Sequence, residues 1–495
     1  MNQNFEVLSK QFEEQLQNFL GYEHLINPFF RISKGTPEQT RKYFLLTSNI
    51  PRGAIMVWTF ISVPLILLKF SLFIIMSIVF SGQNRIFLKK IKNTQVSFLS
   101  HGTKGNLLCA EKDTFFDLMP EVLQKFTNLK CAILYTNQNS FRFKTNNKIL
   151  GMKNKELTHI LLPKFLPPGE HLKYISTTIS FARHALILAV RRYFDSPNVS
   201  RILLCSLNWY FSRATYSNVL LLNRITEIHK KNDTSSIFLT FEGHSFEQLI
   251  VDGVVGQNLK TKIWFYQHSP IVPSHFGVKS FLNNCNSHIT VMTTGNFYIH
   301  YFKSFSKNPN YKIFGTSKSK YLINEGINKE INKIVYAPEG TNHATKVFID
   351  LIENINKIST EHLHVLRLHP DISLSLSLRL KIARLRKYKN FHVSTNNLHS
   401  DLVTANFLVF RSSAVGIESL KYDLLPIFYA DPDLYGLNVL FSNTEAYRNA
   451  KNSKELINIL NANQEILPEL ERKSIFDLYF SEIDYNNFRN TFLEI

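Results

Sequence analysis

IVYAPEGTNHATKVFIDLIENI, residues 334–355, reads as one strand, one turn and one helix. IVYA (334–337) is a short apolar run closed by a proline, and PEGTN is a turn. Val347, Leu351 and Ile355 then recur every fourth residue, with Phe348 and Ile352 one place on, which marks one buried helix face. The same grammar continues downstream. HVLRL (364–368) is a strand followed by His369-Pro370 and a basic helix. FHVS (391–394) is the next strand, SDLVTAN a helix, FLVF (407–410) a strand, and RSS opens the helix leading to LPIFY (425–429). Strands alternating with helices predict a parallel sheet covered by helices.

Upstream the alternation repeats. VSFLS (96–100), CAILYT (131–136), SSIFLTF (235–241) and KIWFYQ (262–267) read as buried strands, and Leu203 to His229 as helical. Two such series, joined near residues 315–332, predict an α/β chain of paired Rossmann-like domains. The expected divisions are a helical N-terminal region (1–93), a first Rossmann-like domain (94–320), a second (321–450), and C-terminal helices (451–495) that pack back on the first domain.

The composition agrees. The chain has 495 residues, 44% hydrophobic and 19% charged, which excludes a disordered or fibrous protein. Four cysteines without CxxC spacing make neither a disulfide framework nor a zinc site, and point to a reducing compartment. The net charge of +19 admits nucleic acid, an anionic membrane surface or a phosphorylated substrate. The cation-rich RIFLKKIK (85–92) directly follows the most apolar stretch (53–82), a placement that favours the membrane. Nucleic acid is not an expected partner, since no aromatic-basic platform is present. Within 53–82, Pro64 and Lys69 interrupt the apolar run, and cations flank both ends. A re-entrant or interfacial helical pair, a single span and a buried core helix all stay open.

Ligands of parallel sheets bind beyond the carboxyl ends of strands, so the strand-end turns are the candidate sites. Glu242, beside Gly243 after SSIFLTF, can take a proton from an acceptor hydroxyl, or serve as an acidic residue in a helix's first turn. His268, in Gln267-His268-Ser269-Pro270, can contact phosphate or acceptor, or be a satisfied buried imidazole. Arg367-Leu368-His369-Pro370 ends an apolar strand, with Pro370 fixing the direction of His369. Arg411-Ser412-Ser413-Ala414 places small hydroxyls before a helix, as an anion site or as N-caps. Glu339-Gly340 is a second acid-glycine turn, expected to touch a donor.

In these motifs the chain resembles bacterial GT-B glycosyltransferases of surface-polysaccharide synthesis (O-antigen, capsule, lipopolysaccharide). It is similar to sialyl- and polysialyltransferases and to CDP-glycerol glycerophosphotransferases. The resemblance implies a GT-B fold, two domains facing a cleft, and inverting transfer from a nucleotide-activated sugar to a glycan or lipid-linked acceptor. It implies Glu242 as general base, with His369, Pro370, Ser412 and Ser413 on the donor phosphates and Glu418 on ribose. No metal and no other cofactor is expected, because helix dipoles, His and Ser take the place of a cation. Phe241 stands where that pattern has a second carboxylate, and Asp423 where it has glycine. The expected location is the cytoplasmic face of the bacterial inner membrane. Polyol-phosphate transfer and a non-catalytic scaffold of the same fold are the alternatives.

Overall fold

The computed structural model describes most of residues 81–494, with 53, 57, 68, 71–72 and 74–79 before them. Residues 1–52, 137–155, 192–212, 321–331 and 431–437, with several shorter stretches, lie outside the description. Pro64, Lys69 and the start of the expected helix from Leu203 fall in that category, as does most of the expected N-terminal region.

Thirteen strands among the described residues form two sheets. The first contains β1 (Val96–His101), β2 (Cys131–Thr136), β3 (Thr158–Leu161), β4 (Ser236–Thr240), β5 (Lys262–Gln267), β6 (Ile289–Thr293) and β7 (Asn310–Ile313). Its order is β3-β2-β1-β4-β5-β6-β7, with β3, β2, β1 and β4 paired in parallel. The second contains β8 (Lys333–Ala337), β9 (Leu363–Leu366), β10 (Phe391–Val393), β11 (Phe407–Phe410), β12 (Leu425–Tyr429) and β13 (Arg448–Ala450). Its order is β10-β9-β8-β11-β12-β13, parallel throughout. Counted from its own first strand, each sheet runs 3-2-1-4-5-6, the doubly wound order, and the first adds one strand. The α/β class with two Rossmann-like sheets is therefore the fold of this chain.

The order has a functional consequence. Chain direction reverses across the sheet between β1 and β4, and again between β8 and β11. At such a switch point the connections leave to opposite sides and open a crevice beyond the strand ends.

By contacts the chain divides into two compact units, residues 1–265 with 275–290, and 266–274 with 291–495. In the first, Phe98 stacks on Phe238 (ring centroids 4.5 Å apart) and Phe238 on Trp264 (5.4 Å), an aromatic ladder across β1, β4 and β5. In the second, Phe348, Leu351, Ile352 and Ile355 of the helix Asn342–Ile358 are buried against Ile334, Tyr336 and Leu366, with Val347 at the margin. Each such side chain contributes on the order of 1.5–3 kcal/mol by leaving water. The C-terminal helices Glu469–Tyr479 and Tyr485–Glu494 pack within the second unit. The Ser481 N–H donates to the Thr294 carbonyl (2.7 Å), Thr316 N–H donates to the Ser481 carbonyl (3.0 Å), and Phe314 meets Tyr485 and Phe488 edge-on.

Candidate active site

The switch point of the second sheet gathers the residues expected on the donor side. Glu339 lies just past β8 and Arg411 just past β11, and these strands are direct neighbours. Their charged groups pair at 3.4 Å with both side chains almost fully buried. The pair cross-braces the two strand ends. Thr341 donates its hydroxyl to Glu339 Oε1 (3.1 Å) and accepts the Ala344 N–H (3.1 Å), so it caps the helix Asn342–Ile358. That helix points its N-terminus, without an acidic residue in the first turn, at the same crevice. Such an end attracts anions through its free N–H groups and its dipole.

His369 stands over this helix start. A Cβ added to Gly340 would lie 3.0 Å from His369 Cγ and 3.1 Å from Nδ1, so the imidazole occupies the space that glycine leaves open. The Asn342 side chain secures the loop beyond it, donating to the Ser373 carbonyl (3.1 Å) and accepting the Ser375 N–H (3.2 Å). His369 and Pro370 are both exposed, so the ring is solvent-facing and held from beneath. Ser412 takes a left-handed backbone (φ 52°), uncommon for a non-glycine residue and a recurrent feature of functional turns. Ser413 Oγ accepts the Val415 N–H (3.3 Å), the i to i+2 contact of a serine turn. The helix it precedes, Val415–Glu418, is a single turn.

Two expected donor residues have other engagements. Arg367 donates to Asp401 Oδ2 (2.7 Å) and to the Asn396 carbonyl (2.9 Å), tying the end of β9 to the segment after β10. Glu418 pairs with Lys318 at 3.2 Å. Burial lowers the pKa of the neighbouring Lys421, while the Glu418 charge opposes that shift. His268, half-buried, belongs to the second unit near Tyr266. Its turn is braced by Gln267, which donates to the Ser269 carbonyl (2.6 Å) and accepts from Thr294 N–H (3.1 Å).

The switch point of the first sheet carries Glu242. Gly243 has φ 76°, and a Cβ there would fall 2.4 Å from the Val278 nitrogen. Only glycine fits both requirements, since the turn is left-handed and pressed against another backbone. The N–H groups of Glu242, Gly243 and His244 all donate to the Glu247 carboxylate (3.0, 2.9 and 3.1 Å). Burial pushes Glu247 up to about 8, against the pull of His244 and of those donors. His244 Nε2 and Glu242 Oε2 are 2.7 Å apart, and the His244 ring stacks on Phe246. Phe241 is fully buried against Phe265 and Phe281. It faces the core, so the second carboxylate of the expected pattern has no place there.

His101, the last residue of β1, completes this switch point. It is nearly buried, and its Nε2 lies 3.2 Å from Thr240 Oγ1 at the end of β4. One ligand atom from each of His101, Glu242 and His244 falls within 4.8 Å of the others. The sequence shows no metal-ligand spacing and predicts no such cluster; the strand order creates one.

Three solved structures illustrate what the chain is similar to. The UDP-GlcNAc 2-epimerase of Methanocaldococcus jannaschii, in complex with UDP-GlcNAc and UDP, is 10% identical, with a TM-score of 0.47 over 81% of this chain and 99% of that chain. The UDP-GlcNAc 2-epimerase of Neisseria meningitidis bound to UDP-GlcNAc is 9% identical, with a TM-score of 0.45 over 81% of this chain and 100% of that chain. A TarM mutant of S. aureus in complex with Fondaparinux, alpha-GlcNAc-glycerol and UDP is 9% identical, with a TM-score of 0.43 over 81% and 99%. No protein-family model and no curated protein matches the sequence.

Sequence reasoning missed His101, Glu247, Thr341 and Asn342. Glu247 had a legible signal, an acidic residue in the first turn of the helix Ser245–Gly256. His101 had none, because its neighbours at the site are more than a hundred residues away in the chain.

Proposed function

We propose that the chain is a glycosyltransferase of the GT-B type that uses a nucleotide-activated sugar and acts in bacterial surface-polysaccharide synthesis. The observation that carries the reading is the second switch point. There the seventeen-residue helix Asn342–Ile358 presents its N-terminus beneath the His369 imidazole, which is seated on Gly340. His369, the first N–H groups of that helix and the Ser412 and Ser413 hydroxyls supply positive potential and donors for a diphosphate or monophosphate. Charge developing on the departing phosphate is stabilised there without a cation. Arg411 and Glu339 hold the strand ends apart at fixed spacing, and Glu418 would reach the ribose by exchanging its contact with Lys318.

Glu242 supplies the base. In an inverting transfer its carboxylate takes the acceptor hydroxyl proton, the oxygen bonds to the anomeric carbon, and the carbon–phosphate-oxygen bond breaks with its electrons leaving on the nucleotide. His244, hydrogen-bonded to that carboxylate, orients it, and Glu247 fixes the turn. His268 serves the acceptor.

A membrane role is supported by an apolar stripe in the described part of the N-terminal region. Leu68, Leu72, Ile75, Val79 and Ile86 recur at helical spacing and are more than half exposed, followed by Lys89 and Lys90. No helix of the described residues is long and apolar enough to cross a membrane. The exposed stripe and the cations that follow it fit an interfacial attachment at the anionic cytoplasmic leaflet, beside a glycan or lipid-linked acceptor.

The test is turnover by purified chain, with CMP-, UDP- and GDP-sugars and CDP-glycerol as donors and bacterial glycolipid as acceptor. Release of free nucleotide that depends on acceptor and is lost in Glu242→Ala supports the reading. Release from CDP-glycerol alone redirects it to polyol phosphate, and no release with any donor refutes it.

A further inference from the structure

The strongest unused constellation is the trio His101, Glu242 and His244 in the first unit. We propose that these three side chains form a binding site for a zinc-class divalent cation, with a fourth position open to water or a substrate oxygen. Two imidazoles and one carboxylate suit zinc and its tetrahedral relatives, whereas magnesium and calcium prefer oxygen alone.

The geometry supports this in four ways. The ligand atoms already lie within 4.8 Å of one another, and a tetrahedral zinc with bonds of about 2.0–2.1 Å needs them about 3.3 Å apart. The 2.7 Å contact between Glu242 and His244 opens by several tenths of an ångström as the cation replaces their shared proton. The His101 and His244 ring centroids are 6.2 Å apart.

The site is also built on fixed backbone. Glu242 and His244 flank Gly243 on a turn whose three N–H groups converge on Glu247. His101 ends a wholly buried strand, and Asn106 donates to the His101 carbonyl (3.0 Å) and to Asp113 Oδ2 (2.9 Å). Outer partners are present too. Thr240 Oγ1 contacts His101, and Phe115 and Phe246 wall its ring. Such outer contacts orient ligands and raise affinity. Finally, burial is graded: His101 is nearly closed off, while the side chains of Glu242 and His244 keep 27% and 16% exposure. That leaves one outward face for entry and for the fourth ligand.

The proposal shares Glu242 with the transferase reading but does not depend on it. A bound cation and a free base are alternative states of the same carboxylate.

The test is calorimetric titration of the full chain with zinc, without nucleotide or acceptor, paired with the visible absorption of the cobalt form. The expected result is one tight equivalent and the intense bands of tetrahedral cobalt. His244→Ala and Glu242→Gln should each weaken zinc at least tenfold and remove the bands, while His300→Ala, at a site remote in sequence, should change neither. His101→Asn provides a second probe should His244→Ala fail to fold. Absence of a tight equivalent overturns the proposal, as does binding that survives both His244→Ala and His101→Asn. Because the readout is binding alone, its failure leaves the transferase reading standing, and inactivity of the chain leaves the cation site standing.

Discussion

Gly340→Ala isolates the seat of His369. Gly340 does not use the left-handed backbone region, so alanine adds no backbone strain, and the residue is exposed, so the fold bears no packing cost. The added methyl would lie 3.0, 3.1 and 3.4 Å from His369 Cγ, Nδ1 and Cδ2, against ordinary contacts of 3.4–4 Å. The imidazole must retreat by several tenths of an ångström from the helix N-terminus. A hydrogen bond to a charged phosphate contributes about 1.5–3 kcal/mol, and losing its alignment weakens nucleotide binding by about ten- to a hundredfold. Calorimetric titration with CMP and UDP measures this, and urea unfolding checks that the midpoint is unchanged. His369→Ala should lose a similar amount, and the double variant little more, since both changes remove one contact. Gly340→Ala binding like wild type while His369→Ala is impaired would refute the seat. Neither variant changing affinity would refute the donor site.

Arg411→Met leaves Glu339 buried without its guanidinium partner and should cost about 3–5 kcal/mol in urea unfolding, more than Arg411→Met combined with Glu339→Leu. Glu247→Ala removes the acceptor of three N–H groups and should destabilise the chain by about 3 kcal/mol or more while abolishing transfer that depends on Glu242. Burial pushes His229 and His364 down to about 4 from 6.5. Between those values the unfolded chain binds protons that the folded chain refuses, so stability is full above pH 6.5 and falls as pH drops toward 4. The loss approaches about 3 kcal/mol per histidine, measured as urea midpoints across pH, and His364→Phe should remove its share of the slope.

The fold was largely legible because buried parallel strands are written as dense apolar runs. IVYA, FLVF and LPIFY are fully buried or nearly so and stand where the alternation puts them. NYKI of β7 is mostly exposed at the sheet's edge, so it lacks an apolar signature, and RNA of β13 is too short to leave one. ITVMT of β6 is wholly buried and carries the same dense apolar pattern. Individual site motifs were legible as strand-end turns. Their partners were not. Gly340 meets His369, and Glu339 meets Arg411, only through the strand order β9-β8-β11, which local periodicity does not encode. The metal-ligand trio is the sharpest case. Glu242 and His244 are neighbours in sequence, yet His101 joins them only because β1 pairs with β4.

The position of a bound nucleotide tests the account most directly. A crystal structure of the chain with UDP or CMP should place phosphate oxygens within hydrogen-bond distance of His369 and the first N–H groups of the helix Asn342–Ile358. Phosphate bound at any other strand end, with none against His369, would contradict it.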